Sequence, residues 1–367
     1  MSGYLNENYS KDKIKAVEAK FEAQKIAFAP LVFQAARALL ELGILQAVSD
    51  SGDNGLTIEE IVKKTGVSKY AVNVLLEIAL GMNLVKVLPS IKPEKFTLGK
   101  IGWFLLEDSM TRINFNFVND VCYKGAFELT RSLKDGKPRG LEVFDTEKKT
   151  IYEALSTLPK QVKESWFSFD HFYSDINFEE ALPIVFSGKP KMIIDIGGNT
   201  AKWAICCCKY DAEVEVLIVD LPGQTKVAEE KASEAGFSDR IKSFPCNMLD
   251  DETSVPAGSD IIWMSQFLDC FSLDEISRIM SKVKAASGKK TDVYILEPFW
   301  DKQRFEAASF SLQATSLYFT CMANGNSKMY RYEEFVSVIE NSGFEIINIM
   351  HNLGSNDYSL IQCRSKL

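Results

Sequence analysis

Met192-Ile-Ile-Asp-Ile-Gly-Gly-Asn-Thr-Ala-Lys202, a helix-like stretch, and then Val214-Glu-Val-Leu-Ile-Val-Asp-Leu-Pro222 decide the fold of this 367-residue chain. One apolar run ends at Asp195 and turns through Gly197 and Gly198; a second ends at Asp220. Strand, glycine turn, helix, strand and acid make up the nucleotide half of a Rossmann-like sheet. The glycines let the backbone approach a ligand where a Cβ would clash. Asp220, at the tip of the second strand, is placed to accept both hydroxyls of a ribose.

The nucleotide follows from the glycine spacing. A dinucleotide fingerprint, Gly-x-Gly-x-x-Gly, seats a pyrophosphate on a helix N-terminus. Counted from Gly197, its second and third glycines fall on Asn199 and Lys202, so the pattern fails twice. Asp195-x-Gly-Gly suits a nucleoside with an amino group and no phosphate, and S-adenosylmethionine is such a ligand. Its ammonium and sulfonium tolerate carboxylates that a pyrophosphate would repel. A nicotinamide oxidoreductase is the distant alternative. The bland reading of the same residues is a turn that only packs helix on strand.

Downstream of residue 191 the expected strands are Met192–Ile196, Glu215–Val219, Ile241–Phe244, Ile261–Met264 and Asp292–Leu296, with helices at Thr225–Ala235 and Leu273–Ala286 between them. Phe344–His351 and Tyr358–Cys363 are joined by Gly354-Ser-Asn-Asp357, a connection short enough to make an antiparallel hairpin. A parallel sheet closed by an antiparallel hairpin is the methyltransferase variant of this architecture.

Upstream, Lys11–Ala29 is a charged helical pattern, and Pro30 opens a segment, Leu31–Val48, apolar on more than one face. Thr57-Ile-Glu-Glu60 is a capping box that starts a helix ended at Gly66. Ser68 caps the next helix, and Leu84–Leu88 with Phe96–Leu98 reads as a two-stranded wing. The expected organisation is a winged-helix domain over 1–107 and an α/β domain over 108–367, the latter with a helical pocket segment (108–188) and a Rossmann-like core (189–367). In the second winged helix only Lys69 is basic and Glu77 would face phosphates, so no nucleic-acid partner is expected and an interaction module is favoured over a regulator. A net charge of −8 points the same way.

No apolar run approaches the ~20 residues of a membrane span, and the charged N-terminus is not a signal peptide. Cys206, Cys207 and Cys208 are consecutive on a helix, so they point about 100° apart and cannot converge on a metal. Most of the eight cysteines read as small buried hydrophobes in a reducing compartment, the cytoplasm. With two histidines, His171 and His351, no metal site is expected. The cluster Trp166, Phe167, Phe169, His171, Phe172 and Tyr173 is either core or one wall of an aromatic pocket.

Nearly the full length resembles the small-molecule O-methyltransferases of the acetylserotonin and plant phenolic type, which include bacterial antibiotic-tailoring enzymes. Asp195-Ile-Gly-Gly-Asn-Thr-Ala201 is similar to that family's Asp-x-Gly-Gly-Gly-x-Gly, and Val219-Asp-Leu-Pro222 to its Asp-Leu-Pro. Cys246-Asn-Met-Leu249 stands at its Gly-Asp-Met/Phe-Phe. Met264-Ser-Gln-Phe-Leu-Asp-Cys-Phe-Ser-Leu-Asp-Glu275 stands at its Leu-Lys-x-x-Leu-His-Asp-Trp-x-Asp-Glu, and Ala323–Phe335 at its Gly-Gly-x-Glu-Arg-Thr-x-x-Glu-Trp.

The resemblance implies S-adenosylmethionine as cofactor, a homodimer built through the N-terminal domain and a small aromatic methyl acceptor. It implies cofactor contacts at Asp195, Gly197, Gly198, Asn199, Asp220, Leu221, Asn247, Met248, Ser265 and Gln266. Pocket walls would be Trp166, Phe169, Tyr173, Trp300, Phe319, Met322 and Met329. The departures lie in the chemistry. The family's catalytic histidine falls on Asp269 and its neighbouring acid on Cys270. Its lysine near the adenine falls on Ser265, its adenine-reading acid on Asn247, and the glutamate that orients the histidine on Met329. Asp269 is the candidate base, with His171 as substitute. C-methylation, or cofactor binding without methyl transfer, are the alternatives.

Overall fold

A computed structural model describes residues 3–366. The chain divides into two compact units, one ending at Phe115 and one running from Asn116 to the C-terminus.

In the first unit the capping box forms as the sequence predicts. The Glu60 amide donates to Thr57 Oγ1 at 3.2 Å, and the Thr57 amide to Glu60 Oε2 at 2.8 Å. The helix Ile58–Thr65 ends at Gly66, whose φ of +72° is left-handed. Ser68 caps Lys69–Gly81, and β1 (Val85–Val87) pairs antiparallel with β2 (Phe96–Leu98). The apolar segment after Pro30 is two helices, Ala29–Glu41 and Ile44–Asp50, because Gly43 breaks it at φ +69°. Leu39, Ile44, Leu45 and Val48 enter a core with Ile61, Leu76 and Phe96. The charged helix forms over Ala16–Ala27 and buries nothing. Among the described residues no single helix is long and apolar enough to cross a membrane.

The second unit is a seven-stranded sheet. Its strands are β3 (Met192–Ile196), β4 (Glu215–Asp220), β5 (Ile241–Pro245), β6 (Ile261–Ser265), β7 (Asp292–Pro298), β8 (Phe344–Leu353) and β9 (Tyr358–Ser365). Their order is β5-β4-β3-β6-β7-β9-β8. The first five run parallel, while β9 is antiparallel to both β7 and β8. The chain leaves β3 toward β5 and returns on the other side through β6. The crevice beyond the C-terminal ends of β3 and β6 is therefore the topological switch point where α/β sheets bind ligands. The helix expected from Thr225 begins at Pro222, because proline at the first helical position pre-sets φ where no amide donor is needed. Leu273–Ala286 forms with the expected bounds on a Ser272/Glu275 capping box.

Candidate active site

The turn after β3 is built by close approaches. Gly197 has φ +78°, and a Cβ there would come within 2.4 Å of the Phe267 ring. At Gly198 a Cβ would lie 2.8 Å from Asp195 Oδ2. Asn199 and Ala201 also hold positive φ, at +48° and +61°, where the resembling family carries glycine. Asparagine tolerates this region, but alanine pays a Cβ clash in it. Ala201→Gly is therefore expected to raise stability by about 1 kcal/mol in a denaturant titration.

Asp195 and Asp220 stand at the expected cofactor end. Asp195 is 2% exposed, and its Oδ2 has no hydrogen-bond partner among the described residues. Burial, and then the neighbouring Asp220, push its carboxyl up to about 8. Asp220 Oδ2 accepts the Asn199 amide at 2.9 Å and Oδ1 the Leu221 amide at 2.7 Å, and burial lifts it to about 6. Each oxygen keeps a further lone pair for a ribose hydroxyl. Two desolvated acids around a glycine turn fit a cationic nucleoside and oppose a diphosphate. At the next strand ends, Met248 is buried and Asn247 Oδ1 accepts the Leu249 amide at 3.0 Å, which leaves its amide nitrogen as a donor. Ser265 Oγ and Gln266 Oε1 are buried at the end of β6 without partners among the described residues. All ten expected cofactor residues line one cavity of about 280 Å³.

The same cavity runs on to Asp269. This residue is 4% exposed, on a short turn after β6. Its Oδ1 accepts the Cys270 thiol at 3.4 Å, and burial pushes the carboxyl up to about 7. Sequence reasoning missed the group that fixes this turn. Glu297, at the end of β7, is 1% exposed, and its Oε1 accepts the amides of Phe267 (3.0 Å), Leu268 (2.8 Å) and Asp269 (3.4 Å). Burial and the charge of Asp269 hold its carboxyl well above the usual range. An acid ending an apolar strand, like Asp220 on β4, was the available signal.

Of the expected pocket walls, Trp166, Phe169, Phe319 and Met329 line the cavity, while Tyr173, Trp300 and Met322 do not. Tyr173 packs edge-on to Phe172 and against Phe169. Met322 is fully buried, filling the space left by the missing side chains of Gly125 and Gly140. Trp300 packs outside the cavity against the core that holds Met322 and Phe319. Two tyrosines not singled out from sequence take their places: Tyr152, and Tyr318, whose hydroxyl accepts Trp166 Nε1 at 2.7 Å. His171 is turned to the cofactor loop, with Nε2 3.5 Å from Thr200 Oγ1 and Nδ1 3.6 Å from Asp175 Oδ1. Beside it, Asp170 Oδ2 accepts Asn199 Nδ2 at 3.0 Å.

Comparison with known proteins agrees with this geometry. Residues 151–345, more than half the chain, match the model of the O-methyltransferase domain, and residues 20–96 match a Dimerisation2-like domain. The chain is 23% identical to the L-tyrosine C(3)-methyltransferase of Streptomyces lavendulae over 322 residues, covering 87% of this chain and 85% of that one. It is 20% identical to the 3-amino-4-hydroxybenzoate 4-O-methyltransferase of Streptomyces cremeus over 321 residues, covering 86% and 82%. The fold is that of the S-adenosylmethionine-dependent methyltransferase SibL (TM-score 0.69, 19% identity, covering 94% of this chain and 98% of that one). It is also that of human N-acetylserotonin methyltransferase, solved with S-adenosylmethionine (TM-score 0.65, 14% identity, 98% and 100%). With the matched domain laid over the β3 turn, Asp220 and the cavity that joins them to Asp269, the chain belongs to the O-methyltransferase family of S-adenosylmethionine-dependent enzymes.

Proposed function

We propose that this enzyme methylates a small phenolic acceptor, at oxygen in the first instance, with Asp269 as general base. The observation that carries the reading is Asp269 itself, a carboxylate buried in the cavity that also holds the cofactor residues. S-adenosylmethionine supplies the methyl group as a sulfonium electrophile. Asp220 holds the ribose, Met248 and Asn247 flank the adenine, and Asp195 answers the cationic end. Trp166, Phe169 and Phe319 wall the acceptor, and much of the acceleration comes from this orientation. As the acceptor oxygen bonds to the methyl carbon and the carbon–sulfur bond breaks, Asp269 takes the hydroxyl proton, and Glu297 holds the turn that aims it.

Methylation of ring carbon ortho to the hydroxyl is the second reading. It is favoured by the exchange of the family's histidine for Asp269 and by the similarity to a tyrosine C-methyltransferase. Here too the hydroxyl proton goes to Asp269; the ring then attacks through carbon as the carbon–sulfur bond breaks, and the proton on that ring carbon is lost to solvent as the aromatic phenol re-forms. Incubation with methyl-labelled cofactor and a phenol panel, with the product site mapped by mass spectrometry, separates the two. Cofactor binding with no product from any phenol would favour a binder instead.

The N-terminal unit, read as a winged helix, is proposed to make a homodimer. The dimerisation-domain match supports this, as do the exposed Tyr70, Trp103 and Phe104 on that unit. Light scattering is expected to return twice the chain mass at micromolar concentration, and a stable monomer would refute it. The eight cysteines, none in a disulfide, suit the reducing cytoplasm.

A further inference from the structure

The charges around the cavity are one-sided. Seven carboxyl side chains line it, against one lysine, one histidine and no arginine. Most of these acids are already engaged. Asp195 and Asp220 belong to the cofactor end. Asp175 is taken by Lys202 and faces His171. Glu275 Oε2 is held by the Ser272 amide at 2.9 Å and by Asn326 Nδ2 at 3.2 Å. Glu153 Oε2 accepts the Lys149 amide at 3.3 Å.

Two acids are left, Asp170 and Asp269. Asp170 Oδ2 accepts Asn199 Nδ2 and lies 3.9 Å from His171 Nδ1, while no partner is seen for its Oδ1 among the described residues. Asp269 is 4% exposed and lines the cavity, with its carboxyl hydrogen-bonded by the thiol and the backbone of the neighbouring Cys270. They stand on different elements, Asp170 on the helix Lys160–Ser174 and Asp269 on the turn after β6, and face the same space. Around them are the rings of Trp166, Phe169, Tyr318 and Phe319. Aromatic faces beside free carboxylates attract a cation and offer nothing to an anion. Of the cavity's own cations, Lys202 is taken by Asp175, and His171 Nδ1 lies between Asp175 Oδ1 at 3.6 Å and Asp170 Oδ2 at 3.9 Å.

We propose that the methyl acceptor is a phenol carrying a protonated amine and no carboxylate, with its ammonium bound at Asp170 while its hydroxyl meets Asp269. The inference rests on the phenol methyltransferase reading and narrows it. It also sets this chain apart from an amino-acid or benzoate acceptor, since among the described residues the lining cations, Lys202 and His171, already face acids of the site. Asp170 is then the residue that selects for charge.

The test uses the full-length protein and four phenols of similar size: a phenolic amine, the corresponding amino acid, a phenolic acid and a neutral phenol. Binding is measured by calorimetry with S-adenosylhomocysteine present, so that charge preference is read whether or not methyl transfer follows. Turnover with methyl-labelled cofactor is measured beside it. The amine is expected to bind about 10–100-fold more tightly than the neutral phenol, the range of one charge-assisted hydrogen bond, and the acid and amino acid more weakly than the amine. Asp170→Asn should collapse the ratio of amine to neutral affinity toward one, a readout that general loosening of the cofactor loop would not move. If the neutral phenol or the acid binds as well as the amine, or Asp170→Asn leaves the ratio intact, the proposal is overturned. If the amine binds selectively but no phenol is ever methylated, the charge assignment stands and the methyl-transfer reading falls.

Discussion

Asp269→Asn is expected to slow single-turnover methyl transfer by ~10²–10⁴ while leaving S-adenosylmethionine affinity unchanged, since general-base catalysis contributes about that much. Asparagine keeps the shape of the side chain and can still accept the Cys270 thiol, but it cannot take a proton. The wild-type carboxyl suits the task because burial lifts it to about 7. A carboxylate at its ordinary ~3.9 would be a poor base for a phenol. Near-full rate in the variant on the true acceptor would remove Asp269 from proton transfer, leaving proximity acting on an acceptor that is already ionised.

The raised acids also set opposite pH trends for rate and stability. The base must be ionised, so the single-turnover rate should fall as pH drops below about 7. Stability runs the other way. Asp195, Asp220 and Asp269 have carboxyls at about 8, about 6 and about 7 in the fold, all above the ordinary carboxylate value. The folded state then binds more protons than the unfolded one between pH ~4 and 8, so stability decreases as pH rises through that window. The ligand-free protein is expected to melt at progressively lower temperature from pH 5 to 8. A cationic ligand beside Asp195 should flatten the trend, and a Tm that climbs over this range would contradict the assignment.

What the sequence made legible were features fixed by backbone rules. The β3–turn–helix–β4 unit announces itself by strand length, paired glycines and an acid at each strand end. The β8–β9 hairpin follows from a four-residue connection. Side-chain direction in the helical wall was not legible. Trp166, Phe169 and Tyr173 fall on one helical stripe, yet only the first two reach the cavity, because the lining passes to the adjacent face of the helix through Asp170, His171 and Ser174. Met322 follows Phe319 by three residues, but the widened turn Phe319–Ala323 sends it onto two glycines far away in sequence. Glu297 and Asp170 went unseen for a related reason. Each works through a partner about 30 residues away, at the turn 267–269 and at Asn199; the strand-end position of Glu297 marks it as a candidate acid, but not the turn it holds.

Asp220→Ala should weaken S-adenosylmethionine binding by ~10²–10⁴-fold, and Asp220→Asn by nearly as much. The carboxylate is committed on both oxygens to backbone, accepting the Asn199 amide at Oδ2 and the Leu221 amide at Oδ1. It thereby ties the glycine turn after β3 to the start of the helix at Pro222, and its remaining lone pairs face the cavity. Alanine loses the ribose acceptors and leaves two amide donors with no partner. Charge-assisted hydrogen bonds of ~1.5–3 kcal/mol each, lost together, account for the expected range. Asparagine is no conservative replacement here. Only one of its two terminal atoms accepts, so its amide nitrogen would point at a backbone donor whichever way it is turned. The Ala and Asn variants should therefore behave alike in calorimetry with S-adenosylmethionine and with S-adenosylhomocysteine. An Asn variant of wild-type affinity would mean that one oxygen suffices and that the ribose is held elsewhere. Equal loss for both ligands is also required, because the ribose is common to them and the methyl group is not. A loss confined to S-adenosylmethionine would instead place Asp220 near the sulfonium, as a charge partner and not a ribose clamp.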